Sequence, residues 1–377
     1  MPEFVITPEQ LYVKMRSGKP MFLFDVRNEG EFAEWKIEGE QMDYLNIPYY
    51  ELLEDEALRY AQHLPDDREV IVVCAKGGAS EYIAEQLAGV GIQAKSLAGG
   101  MLAWSQFYAP ISVASQEDFE IVQINRLGKG CLSYMVLSDG EVLVVDAGRH
   151  IGVYQHLAEA KGAEIAGVAD THLHADHISG GRFLAEKSGA AYFISSHDAR
   201  MPAFPFVPLE QRDTIQVGRV GVEVRALPTP GHTPGSISLI IEGKYLLSGD
   251  TVFVSGLGRP DLGGHAKEWA IDLYETVFAR LADLPDDVLI LPAHYASVQE
   301  MDSRGAVAQT LGTVRAENEI MRTAERERFV HFVAGQSSAT PPNYEEILLL
   351  NRGQVQTDEE KATELEIGPN RCAVHHA

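Results

Sequence analysis

The segment THLHADH, residues 171–177, places three histidines and an aspartate within one short stretch. It follows IAGVAD (165–170), a short apolar run that reads as a strand, and precedes ISGGRFLAEKSG (178–189), which reads as a helix start. Ligands at a strand end are held by the sheet, and the alternate residues His172 and His174 can approach one ion from the same side. Three further elements follow at wide spacing: PGHTPGS with His232, SGDT with Asp250 and PAHY with His294. Each is expected at a strand end, beside Gly or Pro that fixes an open loop. Imidazole and carboxylate donors suit zinc and iron. Of the 13 histidines only His63 precedes residue 110, so metal chemistry is expected in the later part of the chain alone.

The earlier part carries different punctuation. A helix is expected from Pro8 to Ser17 behind the cap Thr7. MFLFDV (21–26) and EVIVVC (69–74) are nearly continuous apolar runs, as in strands buried on both faces. A helical pattern with Ile83, Leu87 and Val90 follows, then a strand in QAKSLAGG (93–100). This alternation points to a small parallel α/β sheet over residues 1–108. APISVASQE (109–117) reads as a linker. From 118, IVQINR, SYMVLS and EVLVVDAG read as strands of a meander, and helices then alternate with strands to about residue 295. GHAKEWAIDLYETVFARLADLP (264–285) is a helix with Trp269, Leu273, Val277 and Leu281 on one face. Residues 303–334 read as helical with a break at Gly312, and the tail from Pro341 as less regular.

Composition narrows the partners. The length of 377 residues is that of two to three domains, and 45% hydrophobic residues exclude a disordered chain. Acidic residues outnumber basic ones 55 to 31, a net charge of −24 that repels nucleic-acid phosphates and anionic lipid. No run has the length of a membrane helix, and MPEFVITPEQ has no basic then apolar leader. The three cysteines, 74, 131 and 372, lie far apart and form no CxxC pair. A reducing, cytoplasmic location is the expectation.

The ordered set THLHADH, GHTPGS, SGDT and PAHY resembles the metallo-β-lactamase superfamily over about residues 118–300, with GEVLVVDAG supplying an early strand that ends in Asp146. The resemblance implies an αββα sandwich with the metal at the strand edge. With every ligand retained, His172, His174 and His232 would hold one metal and Asp176, His177 and His294 a second, Asp250 bridging. SGDTVFVSGLGRPDL (248–262) and the tail LEIGPNRCAV (365–374) further resemble the persulfide dioxygenase branch, which holds a single Fe(II) by two histidines and an aspartate. Carried over, those are His172, His232 and Asp250, and His174, Asp176, His177 and His294 become supporting groups. Two histidines and one carboxylate leave three positions open on iron. Arg259 in GRPD is a candidate to hold a substrate carboxylate, with an ion pair to Asp261 as the alternative. The branch places an Asp between the last His and a Tyr, whereas here Tyr295 follows His294 directly.

Cys74-Ala-Lys-Gly-Gly-Ala-Ser forms a second constellation. A cysteine after a buried strand and before a helix start meets main-chain N–H groups that favour an anion and stabilise a thiolate or persulfide. Lys76 adds charge, and Gly77 and Gly78 open the loop. With DVRNEGEF (25–32), NIP (46–48) and GGMLAW (99–104), the segment resembles the rhodanese family over about residues 5–108. Ala79 stands where many members have Arg, and WKIEGE (35–40) replaces GHIxGA. Cys131 reads as core packing. Cys372 lies in the tail that resembles the dioxygenases, and His375 and His376 on a frayed terminus.

The joined expectation is an α/β plus α+β chain: a rhodanese-like parallel α/β domain (1–108), a linker (109–117) and an αββα metallo-β-lactamase sandwich (118–377). Its resemblances imply an Fe(II)- and O2-dependent oxidation of a low-molecular-weight thiol persulfide to sulfite, one iron per chain, with Cys74 taking sulfane sulfur from a donor. A zinc hydrolase of the glyoxalase II or lactonase kind, with one or two Zn(II), is the alternative, and a persulfide sensor without turnover the third reading. A homodimer stays open.

Overall fold

The computed structural model describes residues 4–52, 60–200, 202–218, 222–260, 264–335, 343–370 and 373–374. Asp261, Cys372, His375 and His376 lie outside the described residues. Contacts divide the chain into two units, built largely on Met1–Ala109 and on Pro110–Glu366.

The first unit is a five-stranded sheet in the order Val5–Ile6, Ala94–Leu97, Val70–Val73, Met21–Asp25, Met42–Asn46, with every pairing parallel. The runs read as two-faced strands are so used. Val70 and Val72 pack with Phe24, Ile83 and Leu87 on one face, while Ile71 and Val73 pack with Leu11, Leu23 and Leu97 on the other. The first helix, Pro8–Arg16, starts as its sequence dictates: Thr7 Oγ1 accepts from Gln10 N and the Gln10 side chain accepts from Thr7 N. Asp25 ends the second strand in a buried fork with Arg27, whose guanidinium also donates to the Trp35 carbonyl at 2.6 Å.

The second unit packs a seven-stranded sheet on a six-stranded one. The first sheet runs in the order Val207–Pro208, Ala191–Ile194, Glu164–Ala169, Glu141–Val145, Cys131–Ser138, Glu120–Arg126, Tyr108–Ser115. The second runs Thr214–Val217, Val222–Pro228, Ile237–Ile241, Tyr245–Gly249, Leu289–Pro292, Gln309–Thr310. Their inner faces form one core through residues such as Leu132, Val136, Val145, Leu239, Leu247 and Leu291. The outer face of the six-stranded sheet is covered by helices through Leu246, Leu273, Val277, Leu311 and Phe329. This is the αββα layering expected from the motifs.

Four expectations need correction. The linker 109–117 is mostly strand: Tyr108–Ser115 is an edge of the seven-stranded sheet. Its small polar residues conceal a period of two, with Ile111 and Val113 buried and Pro110 and Ser112 exposed, and an edge strand accepts the proline. The helical segment after 303 does not break at Gly312. That residue lies inside the helix Leu311–Glu317, and the interruption falls at Asn318, whose side-chain oxygen accepts from Ile320 N and Met321 N before the helix Arg326–Gly335. The tail is regular, with helices at Tyr344–Asn351 and Glu359–Glu366. Trp269 leaves the buried face of its helix Ala266–Glu275 and stacks on His265 instead.

Candidate metal centre and cysteine loop

The seven residues singled out as metal-binding converge. His172, His174, Asp176 and His177 follow the strand Glu164–Ala169, and His232 follows Val222–Pro228. Asp250 follows Tyr245–Gly249 and His294 follows Leu289–Pro292. All seven are at most 3% exposed. Close approach fixes the backbone: a Cβ on Gly258 would stand 1.7 Å from the Asp250 carbonyl oxygen and 3.0 Å from His232 Cβ.

The donors separate into groups. His172, His232 and Asp250 offer ligand atoms within 4.8 Å of one another. His172 Nε2 and His232 Nε2 lie 3.6 and 3.5 Å from Asp250 Oδ2. Asp176, His177 and His294 form a second group that includes Cys131. His294 Nε2 links the two, 3.3 Å from Asp250 Oδ1 and 3.6 Å from Asp176 Oδ2. His174 belongs to neither. Its Nε2 donates to Asp146 Oδ1 at 3.2 Å, and it groups with Asp146 and Asp170.

Second-layer bonds aim the rings. His232 Nδ1 donates to the Arg259 carbonyl at 2.8 Å and His294 Nδ1 to the Gly130 carbonyl at 3.3 Å. Thr171 Oγ1 donates to Asp146 and so accepts from His172 Nδ1 at 3.0 Å. Each arrangement leaves Nε2 turned toward the cluster.

Charge is concentrated there. Burial pushes Asp250 up, but His294, His172 and His232 together outweigh it and hold its carboxyl well below the usual range. Burial, then His174, keeps His172 neutral. His294 goes the other way: burial opposes its charge, and the carboxylates of Asp250 and Asp176 prevail. Within this buried cluster His172 Nε2, His294 Nε2 and both Asp250 oxygens make no hydrogen bond. Buried polar atoms left this way are costly, and a cation among them removes the cost. The residues therefore fit a metal, and their imidazole and carboxylate chemistry suits iron or zinc.

Sequence reasoning missed the supports. Asn351 Nδ2 donates to the His174 and His177 carbonyls, both at 2.9 Å, and its oxygen accepts from Ser179 N. Glu366, 1% exposed, accepts from Ile178 N and pairs with Arg149. Both come from the tail helices, some 170 to 190 positions away, so no local spacing announces them. Cys131 is more than core packing, since its thiol donates to Asp176 Oδ2 at 3.3 Å. Two residues expected to bind substrate, Arg259 and Tyr295, are both buried. Arg259 is 1% exposed and serves the site through its main-chain carbonyl. Tyr295 joins the inter-sheet core and donates to Asn125 Oδ1 at 3.2 Å. Neither lines the cavity of about 400 Å³ that reaches His232.

In the first unit, Cys74 follows the strand Val70–Val73 and is 6% exposed. Its sulfur accepts from Gly77 N at 3.0 Å and lies 3.2 Å from Ser80 Oγ, which in turn meets Ser96 Oγ at 2.8 Å. The helix Gly78–Gly89 begins directly after the loop. Gly100, at φ +58°, lets GGMLAW close over the loop: a Cβ there would stand 2.2 Å from the Cys74 carbonyl oxygen, and Met101 N donates to that oxygen. Gly77 is buried, whereas Lys76 and Gly78 are exposed.

Fold and clustered donors together define a metal-binding αββα protein with an attached sulfur-loop domain. Residues 127–294 match the profile of the metallo-beta-lactamase superfamily and residues 7–107 that of the rhodanese-like domain. The chain belongs to the metallo-β-lactamase superfamily and carries a rhodanese-like domain. It is 31% identical over 224 residues to a hydroxyacylglutathione hydrolase of Anaeromyxobacter dehalogenans, covering 57% of this chain and 82% of that one. It is 34% identical over 140 residues to the mitochondrial persulfide dioxygenase ETHE1 of Homo sapiens, covering 37% of this chain and only 52% of that protein. Among solved structures, a metallo-beta-lactamase from Staphylococcus aureus superposes with a TM-score of 0.55 at 28% identity, over 63% of this chain and 73% of that one. ETHE1 from Myxococcus xanthus shares the fold, with a TM-score of 0.54 at 24% identity over 62% and 97%. Among the described residues no helix is long and apolar enough to cross a membrane.

Proposed function

We propose that this chain oxidises a low-molecular-weight thiol persulfide to sulfite at a single Fe(II) held by His172, His232 and Asp250, and that Cys74 carries sulfane sulfur from a donor. The domain reading puts sulfur transfer in residues 1–108 and oxidation in 118–377. The reaction balances as RSSH + O2 + H2O → RSH + SO3²⁻ + 2 H⁺. Iron held by His172, His232 and Asp250 would supply coordination and redox chemistry for a soft sulfur anion and dioxygen. The observation that carries the reading is the trio itself: His172 Nε2 and His232 Nε2 lie 3.6 and 3.5 Å from Asp250 Oδ2, while His174 Nε2 is bonded to Asp146. The chain's residues do the rest. Arg259 and Thr171 hold the two ligand rings in one tautomer. His294 stands beside the trio, its Nδ1 held by the Gly130 carbonyl and its Nε2 3.3 Å from Asp250 Oδ1. At Cys74, Gly77 N and Ser80 steady a thiolate, which takes sulfane sulfur from thiosulfate with release of sulfite, CysS⁻ + S2O3²⁻ → CysSS⁻ + SO3²⁻, or takes it from a persulfide.

A specific observation favours a second reading. Asp176, His177 and His294 stand ready as a second donor group, and the hydroxyacylglutathione hydrolase relative aligns over most of its length. Two zinc ions there would suit hydrolysis of a glutathione thioester.

Oxygen uptake by anaerobically Fe(II)-reconstituted protein on glutathione persulfide, with sulfite assayed alongside, separates the readings. Catalytic uptake with sulfite, absent in His232→Ala, supports the dioxygenase. No uptake with glutathione, coenzyme A or bacillithiol persulfide, together with thioester hydrolysis by the zinc form, supports the hydrolase.

A further inference from the structure

The cavity of about 400 Å³ is lined by Leu173, Ala175, His232, Trp269, Arg200 and Arg352, among others. Leu173 and Ala175 alternate with His172 and His174, so the cavity lies against the loop that carries the metal donors. Its charge contrasts with the chain's net −24. Of its two carboxylates, Asp198 is committed to hydrogen bonds and Glu268 is exposed beside His265. Asp198 accepts from Leu173 N at 2.9 Å, Gly235 N at 2.8 Å and Thr233 Oγ1 at 2.6 Å. Glu268 pairs with His265 at 3.0 Å.

The two arginines are differently placed. Arg352 stands directly after the tail helix Tyr344–Asn351, and its carbonyl accepts from Ala203 N at 3.1 Å. The neighbouring Asn351 is bonded to the His174 and His177 carbonyls, which fixes the base of Arg352 against the metal loop. Its Nε is buried and makes no hydrogen bond. Burial, then the like charge of Arg200, lowers its pKa, and Asp198 only partly opposes them. Arg200 is exposed, in left-handed backbone at φ +33°, with its Nε donating to the His197 carbonyl. Non-glycine residues hold such backbone at a cost, and the surroundings must fix it. Arg352 and Arg200 bring two guanidiniums to the lining of one cavity, a pairing that suits an anion. The half-buried ring of Trp269 adds an apolar wall.

We propose that Arg352, assisted by Arg200, binds the acidic end of the substrate's thiol carrier, a carboxylate or a phosphate, and so positions the sulfur toward His232. This rests on the thiol-persulfide reading of the metal centre. It makes the tail helix, rather than Arg259, the source of substrate recognition.

The test compares the Fe(II)-reconstituted full-length protein with Arg352→Ala and Arg352→Lys. Substrates are glutathione persulfide (carboxylates), coenzyme A persulfide (phosphates) and 2-mercaptoethanol persulfide, whose uncharged carrier bears no acid group. For the acid-bearing carrier that the site recognises, Arg352→Ala should raise KM by about 10- to 100-fold with kcat within about twofold. Arg352→Lys should recover part of that loss, and 2-mercaptoethanol persulfide should be unaffected. An effect confined to glutathione identifies a carboxylate, and one confined to coenzyme A a phosphate. Equal KM values across variants, or equal weakening of 2-mercaptoethanol persulfide, overturn the proposal. Calorimetric titration with the thiols glutathione and coenzyme A needs no turnover. If no persulfide is oxidised but a thiol still binds wild type about tenfold tighter than Arg352→Ala, anion recognition stands and the dioxygenase reading falls. If neither thiol binds wild type, the proposal falls.

Discussion

The two sites stand at strand ends yet are built from opposite materials. Around Cys74 the main chain does most of the work: Gly77 N reaches the sulfur, and Gly100 admits a second loop against the Cys74 carbonyl. Around Asp250 the work is done by buried side chains, with the rings of His172, His232 and His294 each aimed by a hydrogen bond from elsewhere. A main-chain cradle depends little on which side chains surround it. A side-chain cluster depends on every member and on remote supports such as Asn351 and Glu366.

The largest expected effect is a crossed loss of activity. Cys74→Ser should abolish sulfur transfer from thiosulfate, by on the order of 10³-fold or more, and leave oxygen uptake on preformed glutathione persulfide intact. His232→Ala, or removal of the metal by a chelator, should do the reverse. Thiosulfate plus thiol as the feed tests whether the sites exchange substrate. Sulfite production above the stoichiometric release at Cys74 should then need both residues, and a Cys74→Ser protein that oxidises this feed as well as wild type shows that they act independently.

The same contrast explains what could be read from the chain. His232, Asp250 and His294 beside Gly or Pro, and His172 within a histidine-rich run, are local signals that mark candidates, while the layered fold followed from the family resemblance. The two-faced strands of the first unit were legible because burial on both sides leaves unbroken apolar runs at 21–26 and 69–74. What stayed hidden depends on contacts between distant segments. Nothing near Arg259 reveals that its side chain is buried and its carbonyl is the useful atom. Nothing near Cys131 announces Asp176. The tail looked irregular because its two short helices bury few positions, and it is there that Asn351, Arg352 and Glu366 lie.

Stability should follow the same division. Arg27→Ala strands the fully buried Asp25 carboxylate in the first unit and should cost about 3–5 kcal/mol. Urea unfolding followed by the fluorescence of Trp35 and Trp104, both in that unit, should show it, with metal content unchanged. A loss shared equally by the second unit would contradict independent construction. Asn351→Ala should be milder, about 2–3 kcal/mol, because it leaves Ser179 N and two loop carbonyls without partners. Its sharper signature is a metal affinity lowered by about 10- to 100-fold in chelator competition, with thiosulfate-dependent sulfur transfer unaffected. Unchanged metal affinity would mean that the tail does not support the donor loop.

The smallest effect separates exposed from buried charge. Burial alone would raise Glu69, but Lys14 and Lys95 outweigh it and hold its carboxyl below the ordinary range. A carboxylate whose folded pKa is lowered adds stability above its unfolded value, near 4.3, and loses that stability as pH falls through the folded value. Glu69→Gln should therefore be less stable than wild type at pH 7 by under about 1 kcal/mol. The two should converge as the solution is acidified below about pH 4. Salt should shrink the difference at pH 7, because these partners are partly exposed, whereas the Asp25–Arg27 pair should be nearly indifferent to it. A Glu69→Gln difference that persists at low pH would show that the residue stabilises by packing rather than by charge.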